Sequence, residues 1–304
     1  MRCLVTGGAG FIGSNLAVEL ERRGHEVAVL DNFRVGNMRN LDGFEGDIID
    51  ADVRDFEWIS AAADAIFHQA AITGVVNPSD GSMIGDDYIE DVNFRASRRL
   101  FEFCSKRNIP LVYASSAATY GMSPAPQRED DAGSPTNAYG TSKWQFDKFV
   151  IESTFENLVV GLRYFNVFGP RENFKGRLAS MVFQLYLQMS SGKRPKIFRY
   201  GEQKRDQVYV KDVVSATISA LGADESCIVN VGSGEGITFN RVVAALNSAL
   251  STSLDPEYID NPYSSFYQTE TQADLSLAKE KLGYLPRWEF EAAVKDYVAE
   301  ESVC

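Results

Sequence analysis

R-C-L-V-T-G-G-A-G-F-I-G-S, residues 2 to 14, decides how this chain is folded. Arg2 to Thr6 read as a short apolar strand, glycines follow at Gly7, Gly10 and Gly13, and an apolar helical pattern runs over 12–23. Glycine permits a tight turn and close backbone approach to a bound group, while the amino end of a helix offers N–H donors and partial positive charge. Strand, glycines and helix in this order are the setting in which such a loop cradles a dinucleotide pyrophosphate.

Outward from that loop the pattern alternates. Strand-like runs lie at 25–31, 65–69, 110–114 and 158–163, separated by helix-length segments over 90–107 and 139–155. Alternation of this kind predicts an α/β fold, a doubly wound parallel sheet with helices on both faces. Its right-handed crossovers gather the strand C-terminal ends along one edge, where ligands bind. After residue 165 the alternation loosens into a helix at 178–190, strands at 196–200, 207–210 and 227–231, and helices from 211 and 240. The expected organisation is a dinucleotide-binding domain over 1–165, with segments near 206–232 returning to its sheet, and a smaller C-terminal substrate lobe over 166–304.

Composition narrows the function classes. The 304 residues are 44% hydrophobic and 24% charged, and no apolar run approaches the roughly 18–20 residues of a membrane span. No secretory signal precedes the first strand. Cys3, Cys104, Cys227 and Cys304 lie far apart without a C-x-x-C pair, as expected of reduced packing residues in a cytoplasmic protein. The net charge of −12 argues against a nucleic-acid partner. Between Val160 and Lys211, however, eleven Lys/Arg face three Asp/Glu. That excess fits either a pocket for a small anion such as a diphosphate or a solvated basic face. His25 falls in a turn and His68 in a buried strand; neither is expected to be catalytic, and no metal site is expected.

Asp31 closes the second strand 18 residues after Gly13, where an acid hydrogen-bonds an adenosine ribose. It favours NAD, whereas Arg34 and Arg39 just beyond could hold the 2′-phosphate of NADP, so both cofactors stay open. Asp47 and Ile48 read as flanking the adenine. In N-A-Y-G-T-S-K-W, residues 137 to 144, Tyr139 and Lys143 open a helix and fall one turn apart on one face. The same spacing at Tyr200 and Lys204 lacks a helix to fix it. Upstream, L-V-Y-A-S-S delivers Ser115 and Ser116 to the sheet edge. A phenol near pKa 10 needs lowering by about 3 units, or about 4 kcal/mol, to work as a base near neutrality. One cation about 5 Å away at an effective dielectric of about 20 supplies on the order of 3 kcal/mol. Lys143 is therefore expected to lower Tyr139, with a cationic oxidised nicotinamide supplying the remainder.

T-G-G-A-G-F-I-G, F-H-Q-A-A, Y-A-S-S-A-A-T-Y-G, Y-G-T-S-K, R-Y-F-N-V-F-G-P-R, K-R-D-Q-V-Y-V-K-D-V and T-Q-A-D-L succeed one another along the chain. In them the sequence resembles the extended short-chain dehydrogenase/reductases of Rossmann fold, the family of nucleotide-sugar epimerases and dehydratases. G-P-R-E-N-F-K-G-R-L-A-S narrows the similarity to the ADP-L-glycero-D-manno-heptose 6-epimerases. The resemblance implies transient oxidation of a sugar hydroxyl by bound NADP or NAD and return of the hydride to the opposite face. Tyr139 and Lys175 would be the two acid/base groups, assisted by Ser116 and Lys143. Phe11, Ile12, Asn32, Gln69, Ala70, Ala71, Asn93 and Val167 would join the glycines around the cofactor. Ser115, Asn166, Lys175, Arg177, Gln184, Phe198, Tyr200, Gly201, Arg205 and Tyr267 would contact the nucleotide-diphosphate sugar, Lys175 either as the second base or as a contact to the diphosphate.

The chain departs from those enzymes in places. Arg177 and Gln184 stand where they carry serine and histidine, and Met38 replaces a basic residue that helps select NADP, with Arg39 adjacent. Dehydration is disfavoured because Ala117-Ala118-Thr119 supply no acid/base pair after the serines. A UDP-sugar 4-epimerase is the alternative within the fold; from another class, a dinucleotide-sensing binding protein would have no need of Ser116, Tyr139 and Lys143 together. Segments 90–107 and 139–155 form dimer contacts in related proteins, so a homodimer or higher homo-oligomer is expected.

Overall fold

The computed structural model describes residues 1–58, 63–74, 82–261 and 268–301. The strands are β1 (Arg2–Thr6), β2 (Glu26–Asp31), β3 (Asp47–Asp50), β4 (Ala65–His68), β5 (Leu111–Ser116) and β6 (Val159–Tyr164). They continue with β7 (Asn166–Phe168), β8 (Lys196–Phe198), β9 (Lys204–Tyr209), β10 (Cys227–Val231), β11 (Gly236–Thr238) and β12 (Glu257–Ile259). One seven-stranded parallel sheet runs β10-β6-β5-β4-β1-β2-β3. Strand order reverses at β1, so a crevice opens between the ends of β1 and β4, the switch point at which such sheets bind ligands. A three-stranded sheet, β11-β9-β7, and the pair β12-β8 stand apart from it.

The helices are α1 (Phe11–Arg22), α2 (Asp86–Glu90), α3 (Ala96–Arg107), α4 (Ala138–Glu152), α5 (Met181–Ser190), α6 (Val210–Ser219), α7 (Phe239–Leu250), α8 (Ser276–Leu282) and α9 (Phe290–Glu301). A wide turn of π type at Asp91–Arg95 joins α2 to α3. Both faces of the central sheet are covered, which is why β6 is buried at every position and β5 begins Leu-Val-Tyr without polar alternation. One core unites β1, α1 and α6 with α5, α7 and α9; the other packs α3 and α4 against the opposite face. On α1 the apolar stripe includes Leu16 and Leu20, both wholly buried and worth about 1.5–3 kcal/mol each.

Buried His68 ends β4 between two hydroxyls, with Nδ1 2.7 Å from Thr6 Oγ1 and Nε2 2.7 Å from Ser97 Oγ. Ser97 gives its own proton to the Asn93 carbonyl, so Nε2 is the donor to it, and in the neutral ring Nδ1 accepts from Thr6. Burial, aided by the charge of Lys143, holds its pKa down at about 3. Between that value and an unfolded value of about 6.5, the unfolded chain takes up a proton that the folded chain does not, and stability is lost as pH falls. Relative to His68→Asn, the protein is expected to lose about 2 kcal/mol between pH 7 and pH 5. Urea denaturation at the two pH values checks this; parallel losses in both proteins would contradict it.

Among the described residues no helix is long and apolar enough to cross a membrane.

Candidate active site

The ends of β1, β2, β4, β5 and β6 open onto a cavity of about 310 Å³. At its centre the glycine loop turns. Gly7 has φ +68°, and a Cβ there would lie 2.6 Å from the Ala70 amide nitrogen; one on Gly13 would lie 2.1 Å from the Gly7 carbonyl oxygen. No side chain caps the first turn of α1 at Gly10, and Phe11, Ile12 and Gly13 line the cavity beside it. Across from them, neither polar atom of the buried Gln69 amide makes a hydrogen bond of ordinary geometry within the protein. A cradle that a Cβ would fill, an uncapped helix end and an orphaned amide together fit a dinucleotide phosphate.

The adenosine end differs in detail from expectation. Asp31 reaches the cavity as expected, and its carboxylate also accepts within the protein: Oδ2 from the Ala9 amide at 3.0 Å and Oδ1 from the Phe33 amide at 2.9 Å. Burial pushes its pKa up despite these two bonds. Asp31 thus fastens the glycine loop to the turn after β2. Asp47 and Ile48 do not flank this cavity. They open β3 beside Ala28 and Val29, whereas Ala51, Asp52 and Val53, beyond the strand's C-terminal end, form the wall. Nor does Arg39 line it; Arg34 does, with its guanidinium 4.7 Å from the centroid of Tyr88. Asn32 lines the wall and donates to Asp52 at 2.8 Å. Ala70, Ala71 and Val167 line it as expected. Asn93, in the wide turn before α3, stays outside and instead pins Ile72, accepting from its amide at 2.8 Å and donating to its carbonyl at 2.9 Å.

At the other end stand Ser116, Tyr139 and Lys143. Asn137 caps α4 by accepting from the Gly140 amide at 2.8 Å, which fixes Tyr139 in the first turn. Lys143, one turn on, is buried and donates to the Ala114 carbonyl at 2.7 Å. Burial lowers its pKa to about 8, with the Asp147 carboxylate pulling it back up. Its ammonium lies 6.0 Å from the Tyr139 ring centroid. The phenol itself is pushed up by burial, and the Ser116 hydroxyl opposes only part of that. Burial thus dominates the phenol, while the Lys143 ammonium is bonded to a backbone carbonyl. Ser115 lines the cavity but donates to Asp147 at 2.9 Å, so its hydroxyl is already engaged.

A second cavity, of about 490 Å³, adjoins the first through Val167, Lys175 and Leu178. Asn166, Phe198 and Arg205 line it, as do Lys196, Gln207 and Phe239, which the sequence motifs do not single out. The Gln207 amide oxygen is buried without a partner, again fitting a polar ligand. Lys175 stands at the junction with its ammonium 4.9 Å from the Phe11 ring centroid; burial depresses its pKa and the Glu172 carboxylate raises it.

Arg177, Gln184, Tyr200 and Gly201 are outside the wall of either cavity. Gln184 spends its amide on the Ala179 carbonyl at 2.8 Å. Tyr200 is 70% exposed, and its carbonyl is held by Asn240 at 2.8 Å. Tyr267 lies outside the described residues.

The sequence profile of the NAD dependent epimerase/dehydratase family matches residues 3–232. The chain belongs to that family. Among solved structures, this epimerase/dehydratase relative is similar to the ADP-L-glycero-D-manno-heptose 6-epimerase of Helicobacter pylori. The two are 37% identical, the match covers 100% of this chain and 96% of the other, and the TM-score is 0.92. The UDP-N-acetylglucosamine 4-epimerase of Methanobrevibacter ruminantium, in complex with UDP-N-acetylmuramic acid, is 31% identical over 99% and 98% of the two chains, with a TM-score of 0.90. The UDP-glucose 4-epimerase of Thermus thermophilus, in complex with NAD, is 31% identical over 98% of each, with a TM-score of 0.82.

Proposed function

We propose that this enzyme is a nucleotide-sugar epimerase that oxidises one hydroxyl of its substrate to a ketone and re-reduces it from the opposite face. Two proton-handling side chains on one cavity, Tyr139 and Lys175, with the second cavity opening at Lys175, are the observation that carries the reading. Bound NAD or NADP supplies the hydride acceptor and a cationic ring. Gly7, Gly10 and Gly13, with the first amides of α1, hold its pyrophosphate, and the Gln69 amide lines the same cavity. Tyr139 takes the hydroxyl proton as hydride leaves the sugar carbon, Ser116 holds the sugar oxygen, and Lys143 keeps positive charge beside the phenol. Lys175 serves the opposite face of the same carbon. Asn166, Phe198 and Arg205 receive the nucleotide sugar in the second cavity. A cytoplasmic homodimer through α3 and α4 completes the proposal.

Similarity to the heptose enzyme supports 6-epimerisation of an ADP-heptose. Lys175→Met is expected to lower that epimerisation about 100-fold, in the range lost with one acid/base group. Proton NMR of an ADP-heptose and UDP-sugar panel with both proteins tests it. Arg177 and Gln184, at positions where the heptose enzymes carry serine and histidine, favour a second reading, UDP-sugar 4-epimerisation. In that case a UDP-sugar would turn over and Lys175→Met would retain the activity. Absence of any epimer across the panel would overturn both readings.

A further inference from the structure

Lys175 sits on an irregular turn, Asn173–Leu178, broken at Gly176, where φ is +53°. Nothing in the turn's own hydrogen bonding explains why its amine is held at the junction of two cavities. Glu172, immediately before it, is wholly buried and fully engaged. Its Oε1 accepts from the Gly169 amide at 3.2 Å, the Ser180 hydroxyl at 2.9 Å and the Tyr297 hydroxyl at 3.1 Å, and its Oε2 accepts from the Ser180 amide at 2.7 Å. Gly169 precedes the turn, Ser180 caps the helix after it, and Tyr297 comes from α9. One carboxylate thus ties the two ends of the turn to each other and to the last helix.

We propose that Glu172 is the positioning residue for Lys175: it closes the 169–180 segment into a clasp that presents the amine to both cavities. The proposal rests on the reading of Lys175 as a proton-handling group, though the clasp can be tested without it. The buried carboxylate also acts on the Lys175 amine through its charge. Burial raises the Glu172 pKa, and the Lys175 ammonium is the largest influence opposing that rise. Reciprocally, Glu172 is what opposes the depression of Lys175. The groups facing the pair are the Phe11 ring from α1, and Tyr297 and Glu301 from α9; Glu301 accepts from Asn173 at 3.0 Å. Arg177, on the same turn, is exposed.

The test reads the amine directly. Acylation of Lys175 by acetic anhydride is followed by peptide mass spectrometry across pH in the full chain, alongside the pH profile of kcat. In Glu172→Gln the Lys175 reactivity curve is expected to move to lower pH, with kcat falling at least tenfold and the dinucleotide Kd changing less than threefold. Tyr297→Phe, which removes one donor but leaves the carboxylate, should lower stability and leave the reactivity curve in place. An unchanged curve in Glu172→Gln would overturn the proposal. A shifted curve without any movement of the pH–kcat profile would support the clasp and overturn the acid/base reading of Lys175. Should Glu172→Gln fail to fold, Glu172→Asp decides: it keeps the charge but withdraws the carboxylate from the two ends of the turn, so the Lys175 curve should broaden or shift and kcat should fall, and wild-type behaviour in both would reject the idea.

Discussion

Replacing Tyr139 by phenylalanine is expected to lower kcat for epimerisation by about 10³- to 10⁴-fold while leaving the fold and dinucleotide binding intact. The size follows from losing the group that exchanges the sugar hydroxyl's proton, for which acid/base contributions run to about 10⁴-fold. Intactness follows from what the hydroxyl does not do. The first turn of α4 is fixed by Asn137 on the Gly140 amide and by the Ser142 hydroxyl donating to the Tyr139 carbonyl, both independent of the phenol oxygen. The ring itself remains to line the cavity.

Burial pushes the pKa of that phenol up and the Ser116 hydroxyl opposes the rise, so a role as base needs further positive charge beside it. The nearest titrating amine is Lys143, near pKa 8, which keeps most of its charge at pH 7. Tyr139 is therefore predicted to titrate lower in the presence of oxidised cofactor than without it. The decisive measurement is the single-turnover rate of Tyr139→Phe, alongside a dinucleotide binding isotherm. A rate within tenfold of the parent, with normal binding, would remove Tyr139 from the chemistry.

How much of this site is legible in the sequence depends on whether a group acts through local geometry. The glycine loop and the Tyr139–Lys143 pair are each set by one turn of chain next to a strong periodic element, so their places at the sheet edge follow from spacing. Asp31 reaches the cavity too, but its partners, the Ala9 and Phe33 amides, depend on how the loop after β1 meets the turn after β2. Asp47 and Ile48 were harder still. The D-I-I-D run of β3 is a short, exposed edge strand with no apolar alternation, so nothing in the sequence marks it as a strand whose C-terminal end, beyond Asp50, meets the ligand edge.

The second cavity is less legible because no segment owns it. Asn166, Lys175, Lys196, Arg205 and Phe239 meet there from separate elements. The last helix makes the same point. Phe290, Ala293, Val294, Tyr297 and Val298 carry helical spacing and are buried. That Tyr297 would reach Glu172, 125 residues earlier, is a fact of packing alone.

The largest stability effect is expected from Asp147→Ala, at about 3–5 kcal/mol, and it arises from a residue two helical turns beyond Tyr139 that no motif marks. Asp147 is wholly buried and accepts from the Tyr113 hydroxyl at 3.0 Å, Ser115 at 2.9 Å and Arg163 Nε at 2.8 Å. Arg163 is also almost fully buried; its Nη1 donates to the Tyr120 hydroxyl at 3.2 Å and to the Glu129 carbonyl at 2.7 Å. Those neutral acceptors solvate the guanidinium but do not balance its charge. Removing the carboxylate leaves a cation in the protein interior, and the cost is that of stranding it rather than the worth of the pair. Pairing the change with Arg163→Met should restore much of the loss, since an apolar replacement of both ions is often close to neutral. Asp147 also raises the Lys143 pKa against burial, so the single variant should carry a less fully charged lysine at pH 7 even where it stays folded. Urea denaturation of the parent, both single variants and the double variant measures the coupling. A loss below about 1 kcal/mol in Asp147→Ala, or a double variant no more stable than the single, would mean that water reaches Arg163 and that the charge behind the active-site serines is not sealed from solvent.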